Sequence, residues 1–188
     1  MEYHKGLMKL SLADSLRHLM IRHLFEKITI KQICDETGVI RATFYNYFDD
    51  KYDCLNWIVY HDLVEEVRSN ILNGQLRKAL IDIFETVNEN KQFYRVAYNV
   101  IGQNGFEDMV RDNLRQLLLV FVDRYRKKDY LMKYENNLLA RYYAEILAFH
   151  IKDFVFEVGG AKTVEEVIQM IDDLARNSFI DFTTLNKI

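Results

Sequence analysis

The stretch from Ile28 to Leu55, ITIKQICDETGVIRATFYNYFDDKYDCL, constrains the fold more than any other part of the chain. Two short amphipathic segments flank a Gly38-Val39 turn. The second ends in the cluster Thr43-Phe44-Tyr45-Asn46-Tyr47-Phe48. An acidic break and Lys51 follow, and a new apolar period begins. This is the spacing of a helix-turn-helix whose second hairpin helix is presented to the major groove.

The parts give local reasons for that reading. Thr29 with Gln32 three residues on makes a capping box. Ile30, Ile33 and Cys34 fall on one helical face. Gly38 is the residue that most easily ends a helix in the left-handed conformation. Arg41 opens the next helix, over 41–47. Phe44 and Phe48 share its inner face, which leaves Thr43, Tyr45, Asn46 and Tyr47 outside. Asn46 is the candidate base contact, because its amide can pair bidentately with adenine. Thr43, Tyr45, Tyr47 and Lys51 suit phosphates, and Thr29, Lys31 and Arg41 complete the candidate DNA-binding set. Asp50 can cap the helix that starts at Lys51. That placement brings the lysine ammonium and the first free amides of that helix toward one phosphate.

These residues resemble the TetR family of transcriptional regulators. The family pattern has T-(V/I)-x-x-I, a G-V turn, T-(F/L)-Y-x-x-F and a following lysine. The chain supplies Thr29-Ile30 to Ile33, Gly38-Val39, Thr43-Phe44-Tyr45 to Phe48, and Lys51, within a match over roughly residues 10–58. It departs from the pattern twice. Ile40 stands where a small polar residue usually follows the turn, and Leu24-Phe25 replaces the usual glycine between the first two helices. The Ile28-Thr29-Ile30, Arg41 and Asn46-Tyr47-Phe48 details resemble a subgroup that includes regulators of dihydroxyacetone kinase operons. The resemblance implies a dimer on a two-fold symmetric double-stranded DNA operator, and a small-molecule effector that alters head spacing. It leaves open control by a protein co-regulator, including activation.

Composition fits an all-α chain. There is no proline, glycine is sparse, and 49% of the residues are apolar. The predicted arrangement is an N-terminal three-helix head over residues 1–50, joined by a long helix to a helical body over 51–188. Net charge is −3, but residues 1–51 hold 8 Lys/Arg against 7 Asp/Glu, and the remainder 17 against 21. A weakly basic head must draw affinity from contact geometry more than from long-range attraction. Cys34 and Cys54 lack metal or disulfide spacing and read as reduced core residues of a cytoplasmic protein. No run approaches the roughly 18 apolar residues of a membrane span, so no membrane partner is expected.

The first helix is expected from Ser11, which can cap it, to near Glu26, with residues 1–10 either extending it or fraying and with Leu12, Leu16, Leu19 and Met20 inward. An uninterrupted helix is expected from Lys51 to about Leu72. Five body helices follow near 76–89, 92–101, 106–130, 136–158 and 163–178. The fourth of these is apolar on more than one stripe and must be covered on two sides. The resemblance implies that the last two helices pair with their copies in a dimer. Trp57, Tyr94, Tyr98, Phe121, Tyr142, Phe149 and His150 are the candidate effector-lining residues, against the plainer alternative that an aromatic stripe is simply core.

No catalytic constellation is present, so an enzyme is not expected. His61 and Glu65 share a helical face but have no third ligand, and there is no Glu-x-x-His and no phosphate loop. No cofactor or metal is implied.

Overall fold

With no proline to remove a backbone donor, most breaks between helices fall where glycine, asparagine or a capping residue stands. The computed structural model describes residues 2–126 and 134–176, and the regular elements among them are helical. The head comprises α1 (Glu2–Arg22), a 3-10 turn (Phe25–Lys27), α2 (Ile30–Thr37) and α3 (Arg41–Tyr45). A connecting segment follows as α4 (Lys51–Tyr60), a π-helical turn (His61–Glu65) and α5 (Arg68–Leu72). The body is α6 (Leu76–Glu89), α7 (Lys91–Ala97), α8 (Phe106–Tyr125), α9 (Asn136–Phe156) and α10 (Val164–Arg176). The expected extensions of helix over 127–130 and 177–178 lie outside the described residues.

Local signals set most of these boundaries. Thr163 and Glu166 form a reciprocal cap before α10, with Glu166 N donating to Thr163 Oγ1 at 3.2 Å and Thr163 N to Glu166 Oε2 at 3.1 Å. Leu12, Leu16, Leu19 and Met20 are buried on α1, as their spacing predicts. At its start α1 takes the extension over residues 2–10 and leaves Ser11 no capping role, and at its end it stops short of expectation. It starts at Glu2, and Ser11 lies inside it with Oγ donating to the Leu7 carbonyl at 3.0 Å, so Ser11 caps nothing. It ends at Arg22, because Phe25 leaves the helical path and is buried in the 3-10 turn. Leu24 there has φ −61, which needs no glycine and explains how the chain dispenses with one.

The connecting segment is interrupted where an uninterrupted helix was expected. At His61–Glu65 the Glu66 N–H donates to the His61 carbonyl at 3.3 Å, five residues back. Such π turns often mark functional positions. Asp62, Leu63 and Val64 are all buried in it.

Asp62 is a carboxylate 3% exposed. It accepts from Arg17 Nη2 of α1 at 2.6 Å and from Tyr94 Oη of α7 at 3.0 Å. His61 Nδ1 stands 3.6 Å away, at ion-pair distance. The Arg17 guanidinium lies 4.8 Å over the Phe93 ring. Burial pushes the Asp62 carboxyl up, but His61, Arg17 and Tyr94 together outweigh it and hold it below the usual carboxylate range. The hydrogen bond drawn by Asp62 raises the His61 imidazole. Head, connecting segment and body thus meet at one buried anion. Around it a single apolar cluster runs from Leu12 to Ile168.

A buried charge left without its partner is costly. Asp62→Asn is expected to lower unfolding stability by about 3 kcal/mol in urea titration. The Arg17→Met, Asp62→Leu double variant, which removes both charges, recovers most of that loss. Equal stability of Asp62→Asn and wild type contradicts the role given to this carboxylate.

Candidate nucleic-acid interface

The hairpin is positioned from its caps inward. Thr29 Oγ1 accepts from Gln32 N at 3.2 Å, and Gln32 Oε1 accepts from Thr29 N at 2.8 Å, closing the capping box that starts α2. Gly38 ends α2 at φ 77, in the left-handed region. Phe44 and Phe48 point inward at 0% and 2% exposure, with ring centroids 5.7 Å apart. That anchor leaves Arg41, Tyr45 and Asn46 exposed, with Thr43 and Tyr47 half-buried. Tyr47 also packs on the core cluster. The α-helical part of α3 stops at Tyr45, and Asn46 sits at its C-terminal cap.

The exposed side chains carry donors of the kinds that meet phosphates and base edges. The Arg41 guanidinium reaches Tyr45 Oη at 3.4 Å. Lys31 is exposed and pairs with Asp35 at 2.6 Å, a surface contact that costs little to exchange for a phosphate. Thr29 is exposed beside it. Ile40 went unassigned in the sequence reading. It caps α3 without a side-chain hydrogen bond and is 71% exposed. The signal was present as a departure from the family pattern: an apolar side chain where a small polar one is usual.

Lys51 differs from expectation. Its Nζ donates to the carbonyls of Phe25, Glu26 and Ile28 at 2.8, 3.1 and 2.9 Å and lies 4.6 Å over the Phe25 ring. An ammonium has three donors, and all three are engaged here. The Phe25 carbonyl already accepts from Ile28 N at 3.1 Å, and Lys51 adds a second donor to it while also serving the Glu26 and Ile28 carbonyls. The amides at the start of α4 are also occupied, since Asp50 Oδ1 accepts from Tyr52 N and Asp53 N at 2.7 and 2.8 Å. Asp50 therefore caps α4 as predicted, but by doing so it removes the anion site that Lys51 and these amides were expected to form.

The seven effector-lining candidates do not share one cavity. Trp57 packs on Phe48 and His61 at the junction of head and body. Tyr94 is wholly buried with its hydroxyl committed to Asp62. Tyr98 packs edge-on against Phe106 and Phe156. Phe149 is 63% exposed on the outer face of α9. Only Phe121, Tyr142 and His150 come together, along a groove between α6, α8, α9 and α10. Periodicity placed these aromatics on helices but did not say which faces meet.

His61 contacts Asp62 and Glu66 instead of Glu65. Among the described residues no three His, Cys, Asp or Glu side chains are grouped to hold a metal, and no helix is long and apolar enough to cross a membrane. Cys34 and Cys54 are free and buried, and burial raises both thiols.

A capped helix-turn-helix on an all-helical body defines a transcription regulator. Residues 12–58 match the family model of bacterial regulatory proteins of the TetR family, and residues 74–177 match that of a transcriptional regulator C-terminal region. The chain belongs to the TetR family, whose members are DNA-binding regulators and not enzymes. It is 29% identical over 135 residues to the HTH-type dhaKLM operon transcriptional activator DhaS of Lactococcus lactis, covering 71% of each chain. The fold is similar to that of a dihydroxyacetone kinase operon activator DhaS, at TM-score 0.63 and 20% identity over 89% of this chain and 93% of that one. It is likewise similar to the fatty acid degradation regulator FadR of Bacillus halodurans, at TM-score 0.61 and 16% identity over 87% and 93%. A TetR-family regulator of Syntrophomonas wolfei gives TM-score 0.62 and 20% identity over 96% and 97%.

Lys51→Met is expected to destabilise the chain by about 2 kcal/mol, the scale of hydrogen bonds to a charged group, with the salt slope of DNA binding little changed. Urea titration and binding at several salt concentrations check this. A free phosphate ligand would give the reverse: unchanged stability and a slope lower by about one.

Proposed function

We propose that the chain acts in the cytoplasm as a homodimer whose two heads, residues 1–50 of each copy, read a two-fold symmetric operator. Thr29, Lys31, Arg41, Thr43, Tyr45 and Tyr47 position each head on the backbone, and Asn46 reads a base edge. Ile40 joins them as an apolar contact suited to a thymine methyl. The body, residues 51–188, dimerises and responds to a small-molecule effector. The effector shifts the population between head spacings, and the Arg17–Asp62–Tyr94 junction carries a tilt of the body into α1. The activator named among the relatives favours activation as the direction of control, and with it the alternative of a protein co-regulator.

One observation carries the dimer. Leu138, Tyr142, Ile146, Phe149 and Phe156 lie along one side of α9 at 43, 60, 37, 63 and 41% exposure. The opposite side is buried within the chain through Ala140, Ala144, Leu147, Ile151 and Phe154. Exposed apolar side chains repeated along one helix face, flanked by Glu145, Lys152 and Asp153, mark an interaction surface with a charged rim. A second copy of the same stripe covers it by two-fold symmetry.

Phe149→Glu is expected to convert a dimer to a monomer in sedimentation velocity and to abolish tight operator binding. A wild-type chain that sediments as a monomer overturns the reading. Asn46→Ala should lose about 1–3 kcal/mol on the preferred site, with binding to random duplex unchanged. Equal losses on both DNAs, measured by competition, would remove Asn46 from base reading.

A further inference from the structure

We propose that the groove between α6, α8, α9 and α10 binds a neutral, mainly apolar small molecule carrying one hydrogen-bonding group, which pairs with His150. This rests on the effector-controlled reading above and names the ligand class and its site. The groove encloses about 650 Å³, within the range of small-molecule sites. Its walls include Leu76, Leu80, Leu118, Phe121, Ile146 and Leu147.

His150 is the one imidazole on the lining. It is 3% exposed, and its Nδ1 has no hydrogen-bond partner among the described residues. Burial lowers its pKa, so the ring is neutral and can donate from one nitrogen and accept at the other. Nδ1 is sealed even from water, so a ligand in the groove pairs with the ring through its other nitrogen, Nε2.

Charge narrows the ligand further. Among the described residues no lysine or arginine lines the groove, and the one charged residue there is Asp172, which pairs with Arg77 at 3.4 Å. A carboxylate or phosphate entering here finds no unpaired cation among the described lining residues, because the nearby Arg77 is already held by Asp172. A compact polyol would leave most of the apolar wall uncovered and its own hydroxyls unpaired. A neutral ring or chain with a single hydroxyl, phenol or amide satisfies both walls and His150. Tyr142 and Ile146 belong both to the groove and to the outer stripe of α9. The copy that covers the stripe therefore borders the groove, so occupancy and the packing of the two copies are coupled.

Biphenyl-4-ol and biphenyl-4-carboxylate share an apolar body and differ in charge. Isothermal titration of the full chain is expected to show one biphenyl-4-ol per chain and at least tenfold weaker binding of the carboxylate. His150→Phe keeps the ring volume, removes the polar partner, and is expected to weaken the phenol about five- to tenfold. Ala175→Trp places an indole in the groove from an exposed α10 position and is expected to abolish binding without unfolding the chain, as its thermal melt checks. The proposal is overturned by absence of phenol binding, by a carboxylate that binds as tightly, or by both variants binding like wild type. A groove already filled by the second copy gives the first of these results. Binding of all variants to random duplex DNA is measured in parallel. Retained DNA binding with failed phenol binding removes this ligand and leaves the regulator reading standing, whereas lost DNA binding by wild type removes the regulator reading itself.

Discussion

The structure is organised around a carboxylate that cannot reach water. Asp62 sits in a π turn with Arg17 from the head on one side and Tyr94 from the body on the other. A buried anion tolerates few arrangements, because each partner it loses leaves a charge exposed to low dielectric. Apolar packing alone would let α1 slide against α7 at small cost. The hydrogen bonds to Asp62 are directional and fix where the two helices meet. Any motion of the body that reaches the head must either carry this group intact or break it.

The exposed face of the hairpin depends on the same economy of polar groups. The hairpin exposes Arg41, Tyr45 and Asn46 because Phe44 and Phe48 are fully committed to the core. Lys51 and Asp50 look like part of that surface in the sequence. In the fold they satisfy backbone groups of the turn before α2 and of the start of α4. The chain thus spends conspicuous charges on holding the head's shape. With so little net positive charge in the head, rigid presentation of a few side chains must supply specificity.

The body presents two unfinished surfaces that share residues. Among the described residues nothing covers the outer stripe of α9, and the imidazole beside the groove has a nitrogen with no partner. If one copy covers the stripe of another, the groove lies at the border of that contact. A ligand there would act on the relation between two copies without having to distort the inside of one. This gives the proposed effector a short physical route to head spacing, by repacking α9 and α10 against their counterparts.

Much of the architecture was legible because its causes are local. The capping boxes at Thr29 and Thr163 and the left-handed Gly38 each act within a few residues, and apolar periodicity over 76–89 and 136–158 gives those helices to within two residues of their observed ends. The inward turn of Phe44 and Phe48 follows from helical spacing alone. What failed was long range. Lys51 meets carbonyls 23 to 26 residues away, Asp62 meets Arg17 and Tyr94 at separations of 45 and 32, and the seven aromatic and imidazole candidates divide among surfaces that no periodicity distinguishes. The order of elements alone determined an all-helical chain with a reading head. Only the packing of those helices decided which polar groups would be buried, because burial is a property of the faces that meet and not of the residues along one of them.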